Sequence, residues 1–227
     1  MNDATAEKTE LQDGMGGLVN DWAADKQAYH VPWGKAMMWI FLVSDTFIFS
    51  CFLVGYLNVR LTTTEPWPLQ SEIFALSFGG GAPIPLILIA IMTFILITSS
   101  GTMALAVNMG YRKEKLKAFW LICITAAFGA SFVGMQMFEW SKLILDEGVR
   151  PWGNPFGAPQ FGSIFFMVTG FHGLHVTGGV IYLIWVALRV KRGYYDKKGF
   201  EIIEIAGLYW HFVDLVWVFI FAFFYLL

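Results

Sequence analysis

Five long stretches of this chain are almost free of charge, at about residues 34–58, 83–109, 118–143, 161–188 and 201–227. Each is long enough to cross the hydrocarbon of a bilayer, which takes roughly 20 mostly apolar residues in a helix. Lipid offers no partner for a backbone N–H or C=O, so a single spanning segment must satisfy its own hydrogen bonds as a helix. The expectation is an all-α, polytopic membrane protein. Its five-transmembrane-helix bundle would cover residues 34–227, behind a polar arm at residues 1–33. Composition agrees: 57% of residues are hydrophobic and 14% charged, where a soluble domain has about a quarter charged.

The basic residues predict the orientation. Lys8, Lys26 and Lys35 precede span one, Arg112, Lys113, Lys115 and Lys117 link spans two and three, and Arg189, Lys191, Arg192, Lys197 and Lys198 link spans four and five. The opposite side has only Arg60, Lys142 and Arg150. The positive-inside rule then puts the N-terminus in the cytoplasm and the C-terminus in the periplasm. The first thirty residues lack the apolar core of a cleavable signal peptide, so insertion is expected to rest on span one. A formal net charge of -2 without a basic block gives no footing for nucleic acid. Cys51 and Cys123 lie inside apolar runs without metal-ligand spacing and read as small packing residues. Trp33, Trp67, Trp140 and Trp152 fall near expected interfaces. Gly79, Gly80 and Gly81 with Pro83 and Pro85 mark the expected start of span two, and the Pro/Gly-rich link after Asp146 reads as an ordered, turn-rich loop.

Ionisable groups inside such spans are expensive, and so each is a candidate for function or for a structural network. His172 and His175, three residues apart, share a face of span four. On span five, Glu204 and His211 lie on one stripe, with Asp214 one turn further. His175 and His211 are expected at similar depth. Three readings stay open: a haem or copper site bridging spans four and five, a proton relay, or an interhelical polar network. Asp45 stands alone near the middle of span one. It is expected to be protonated, to pair with a group outside the chain, or to bond Ser44, Thr46 or a backbone carbonyl. Gln136 and Glu139 share a face of span three, with Glu139 near the outer interface. Glu204 lies in the first turn of its helix, where a carboxylate favours the positive helix end.

The segments T-G-F-H-G-L-H-V-T-G-G (from Thr169), E-I-A-G-L-Y-W-H-F-V-D-L-V-W (from Glu204), F-G-S-I-F-F (from Phe161) and M-Q-M-F-E-W (from Met135) occur in order along the chain. Together they closely resemble subunit III of haem-copper terminal oxidases, over about residues 35–227. The chain is similar to the shorter, five-span bacterial form of that family; the mitochondrial form has seven spans. Where the mitochondrial pattern has Ser-Glu, this chain has Ser44-Asp45. The resemblance implies an auxiliary subunit of a respiratory oxidase that reduces oxygen to water, in a bacterial or archaeal plasma membrane. It implies no cofactor in this chain and no catalysis by it, with haems and copper held by partner subunits. Subunit I would be the direct partner and subunit II a further one, with cytochrome c or quinol met only through the complex. Phospholipids are held in a cleft between the family's helices; the two missing spans leave part of that cleft in question. Support of subunit I stability and proton uptake is implied too, with Asp45 at the position of the carbodiimide-reactive carboxylate. Under this resemblance Gln136, Glu139, His172, His175, Glu204, His211 and Asp214 become an interhelical polar network. The rivals are the accessory subunit of a nitric oxide reductase system, a small proton-linked transporter, and a purely structural assembly subunit.

Overall fold

The computed structural model describes residues 32–68, 75–76, 84–195 and 201–226. Most of the expected polar arm, Gly79 to Pro83, Lys197, Lys198 and Leu227 lie outside the described residues. The chain divides into two compact units, Met1–Met37 and Met38–Leu227. Of the first, only residues 32–37 are described, and the bundle belongs to the second.

Five helices are long and apolar enough to cross a membrane. They are α1 (Trp33–Thr62), α2 (Ile87–Tyr111), α3 (Lys115–Leu145), α4 (Gln160–Lys191) and α5 (Glu201–Phe221). The last continues through a π-helical turn at Ala222–Leu226, so regular α-helix stops short of the expected end of span five. Apart from this helical core, Ala75–Leu76 (β1) and Ile84–Pro85 (β2) pair antiparallel, Ala75 opposite Pro85 and Leu76 opposite Ile84. That pairing displaces the expected start of span two. Pro85 has no N–H to give and is tolerated in so short an edge pair. Leu86 then turns the chain at φ 61, and α2 begins only at Ile87.

The connections on the basic side are tight. Lys113 at φ 59 reverses the chain between α2 and α3. After α4, Gly193 adopts φ 72, and the N–H groups of Gly193 and Tyr194 reach back to the carbonyls of Val190 and Arg189. Helix C-termini commonly close in this way, with glycine in the left-handed region. The link between α3 and α4 is ordered by turns: Arg150 bridges to Gly153, and the Phe156 N–H donates to the Asn154 side chain. It is tied to the segment after α1, because the Ala158 N–H donates to the Pro66 carbonyl. Gly157 between them has φ 136, and a Cβ there would lie 2.1 Å from the Pro66 oxygen.

Helices α2, α3, α4 and α5 form a closed ring in which α2 and α4 each pack on α3 and α5. Trp210, Trp217, Phe132, Phe161, Phe165 and Phe224 are fully buried among them. Phe132 and Trp217 meet edge to face at 4.6 Å between ring centroids, a geometry that adds to the area they bury. Gly129 and Gly179 make room for the Trp210 ring; a Cβ on Gly129 would sit 2.3 Å from it. Helix α1 lies against α4 and α5 through long side chains. Phe49 packs on Phe171, Phe41 on Tyr209, and Tyr56 on Phe224 at 4.2 Å. Only 17% of its most apolar window is buried, against 44% for α5. Cys51, expected as a packing residue, is instead exposed on α1. Trp152 is exposed as an interfacial ring should be, whereas Trp67 packs on Tyr56 and Phe161 and Trp140 on Phe166.

Candidate functional site

The three intramembrane histidines do not converge. Each is held by a different helix, because a helix face set by sequence spacing says nothing of which neighbour that face meets. His172, fully buried on α4, places Nε2 at 3.1 Å from the Val213 carbonyl of α5. A carbonyl only accepts, so Nε2 carries the proton; Nδ1 is buried without a partner. His211 on α5 bonds Ser100 of α2 rather than any residue of α4. Among the described residues, no three His, Cys, Asp or Glu side chains gather closely enough to hold a metal ion.

His175 turns toward α1. Its Nε2 lies 3.2 Å from Oδ2 of Asp45, and both side chains are largely buried. This corrects the expectation that Asp45 stands alone or seeks a partner outside the chain. Nor does Thr46 serve Asp45, since its hydroxyl donates to the Leu42 carbonyl. On the far side of the ring, Nδ1 lies 2.8 Å from the Phe171 carbonyl, which fixes a proton on that nitrogen. One further proton is then needed between Nε2 and Oδ2. With it the pair has no net charge, whether written as acid and imidazole or as carboxylate and imidazolium. A neutral pair suits its surroundings, where Phe171 and Phe49 ring centroids lie 4.7 and 5.6 Å from the imidazole. The contact is close but poorly aligned, as Oδ2 makes no directional hydrogen bond.

The stripe on α5 runs along α2 in antiparallel register. The Tyr111 hydroxyl donates to Glu204, His211 meets Ser100, Trp210 Nε1 donates to the Ser99 hydroxyl at 2.9 Å, and Trp217 Nε1 donates to the Thr93 hydroxyl at 3.0 Å. Glu204 lies in the first turn of α5, as expected, and it also reaches across to α2. The Asp214 carboxyl lies beside Ser100, with one oxygen buried and unpartnered. On α3, the Gln136 amide donates to the Thr169 carbonyl of α4 at 2.9 Å. Glu139 is 4% exposed and faces the interior of the bundle. Its partner is the Tyr225 hydroxyl, at 3.0 Å, from the π-helical turn. Tyr225, Ser99, Ser100 and Thr93 were not read from the sequence as partners. Their only signal is that hydroxyls and indole N–H groups in lipid need partners somewhere.

The family model for cytochrome c oxidase subunit III matches residues 26–227. The chain belongs to the cytochrome c oxidase subunit III family. It is 33% identical over 199 residues to "Probable quinol oxidase subunit 3" of Staphylococcus aureus, covering 87% of this chain and 90% of that protein. It is 32% identical over 190 residues to "Cytochrome c oxidase subunit 3" of Alkalihalophilus pseudofirmus, covering 83% of this chain and 84% of that protein. As a subunit III it is an auxiliary subunit of a haem-copper oxidase and a multi-pass membrane protein.

Proposed function

We infer that this subunit packs directly on subunit I of a respiratory oxidase in a bacterial plasma membrane, and supports its stability and proton uptake without a cofactor of its own. The complex would be of the cytochrome c oxidase type, with quinol as the alternative donor, since the names of the two relatives cover both. Subunit II completes the assembly, and the donor meets only the partner subunits. The N-terminus and its polar arm would lie in the cytoplasm and the C-terminus in the periplasm, a reading supported by the bias of basic residues to one set of links.

The observation that carries the proton-uptake reading is the Asp45–His175 pair. A carboxyl and an imidazole that share one proton can hold it, or release it, at mid-membrane depth. The other clips bond hydroxyls, indoles and backbone carbonyls, and serve to fix helix positions. Apolar grooves on the bundle surface suit structural phospholipids.

The test uses the intact oxidase with Asp45→Asn. The expected result is unchanged assembly, loss of carbodiimide labelling of this subunit, and slower proton uptake or faster inactivation during turnover. Labelling and turnover lifetime equal to the unaltered oxidase would reject the assigned role. The isolated chain is expected to show no Soret band; a stoichiometric one would overturn the cofactor-free reading.

A further inference from the structure

We propose that the groove between α3 and α4 seats a transmembrane helix of another oxidase subunit, one that presents a hydrogen-bond donor such as a serine or threonine hydroxyl to Gln136. This inference rests on the reading of the chain as a packed subunit of an oxidase. The groove has a volume of about 330 Å³, and Gln136, Met137, Trp140, Gly173, Leu174 and Thr177 line it. Its floor is low because Gly170 and Gly173 carry no side chain. The Trp140 ring lies over Gly170, and the Gln136 side chain lies over Gly173, with Oε1 at 3.1 Å from where a Cβ would stand.

Gln136 is the decisive residue. It is 5% exposed, and its Nε2 is committed to the Thr169 carbonyl. That bond also fixes the amide orientation, since the flipped amide would set oxygen against oxygen. Among the described residues the amide oxygen has no hydrogen-bond partner, yet it is not among the sealed polar atoms. It is therefore open, and Gln136 lines the groove. Of the other polar groups there, the Thr177 hydroxyl donates to the Gly173 carbonyl, and the Trp140 indole N–H is sealed under the surface, out of reach of an occupant.

An open acceptor within a membrane-spanning segment selects its occupant. Lipid tails have no donor to offer, and a polar group left unsatisfied in hydrocarbon is costly. A helix suits both features at once: its ridge of side chains fills the groove, and a hydroxyl on that ridge supplies the hydrogen bond. The contrast with the groove between α1 and α5 is sharp. That second groove, about 350 Å³, is lined by Phe49, Phe212, Phe219 and Phe223 with two hydroxyls. Thr46 and Ser50 both donate to carbonyls of their own helix, so it offers only an apolar wall and suits an acyl chain.

The experiment places a photocrosslinking residue at Leu174, which is 71% exposed on the rim of the α3–α4 groove, in the intact oxidase in native membranes. A second photocrosslinker at Leu215, in the α1–α5 groove, serves as the contrast. Leu174 is expected to give an adduct with another oxidase polypeptide and Leu215 an adduct with lipid. Lipid alone at Leu174, or a second copy of this chain, overturns the proposal. In parallel, Gln136→Leu should raise the dissociation of this chain from the solubilised oxidase by about threefold or more, the range of single interhelical hydrogen bonds. Unchanged dissociation would also count against the donor contact. If the unaltered chain fails to purify with a haem-containing partner, the oxidase-subunit reading itself fails. If it co-purifies but Leu174 meets only lipid, this groove assignment alone fails.

Discussion

Removing the Asp45 carboxyl should loosen α1 specifically, by an amount that reports the charge state of its pair with His175. The two side chains are 5% and 16% exposed and lie 3.2 Å apart, so neither has water to fall back on. For the pair as acid and imidazole, each uncharged, truncating either partner leaves an unsatisfied polar group and costs about 1–3 kcal/mol. The mutual coupling between membrane helices is smaller, averaging about 0.6 and reaching about 1.7 kcal/mol. The imperfect alignment at Oδ2 argues for the lower half of that range. A pair in which truncation strands a bare charge would instead cost about 3–5 kcal/mol for a single change. The assay is a double-mutant cycle of Asp45→Ala and His175→Ala, read by reversible unfolding in mixed detergent micelles. Single costs of about 1–3 kcal/mol with coupling near 1 kcal/mol are expected. Coupling indistinguishable from zero would refute the pairing, and single costs above about 4 kcal/mol would refute the acid–imidazole form in favour of carboxylate and imidazolium.

Further perturbations follow from the packing. Gly129→Val should lower the unfolding temperature of the chain, because its Cβ would press 2.3 Å from the Trp210 ring; overpacking costs about 1–3 kcal/mol or more. A thermal melt unchanged from the parent would show that Trp210 is not lodged there. Tyr225→Phe removes the donor to Glu139 and should cost about 1–3 kcal/mol, whereas Tyr225→Phe combined with Glu139→Gln should cost less than the two separate effects added. Full additivity in unfolding measurements would dissolve that contact. Gly157→Ala should free the outer links, since φ 136 and the Pro66 carbonyl both exclude a side chain; limited proteolysis between α3 and α4 is expected to accelerate, and an unchanged cleavage rate would contradict the tie.

The five helices were legible because charge, not hydropathy alone, punctuates the chain. Their ends were less so. Nothing in a hydropathy profile announces that Ile84–Pro85 pairs with Ala75–Leu76, or that Leu86 takes a left-handed conformation before α2. The polar residues were found as individuals, since an ionisable side chain in lipid is conspicuous by type. Their partners were not. Periodicity placed His172 and His175 on one face of α4, but His172 points to α5 and His175 to α1, because that face lies over the seam between two neighbours. His211 was expected to look toward α4 and instead meets Ser100 of α2, in a register visible only when antiparallel α2 and α5 are laid together. Glu139 was legible as a network residue, but its partner was not. Nothing in the sequence shows that the π-helical turn at the end of α5 brings the Tyr225 hydroxyl to it.

The most direct test of the account is native mass spectrometry, with optical spectra, of the complex captured through this chain from its own membranes. The account predicts one copy of this subunit bound to a haem- and copper-containing oxidase subunit, with oxygen consumed as the complex turns over. Capture of this chain without any haem-containing partner, or with a nitric oxide reductase in place of an oxidase, would contradict it.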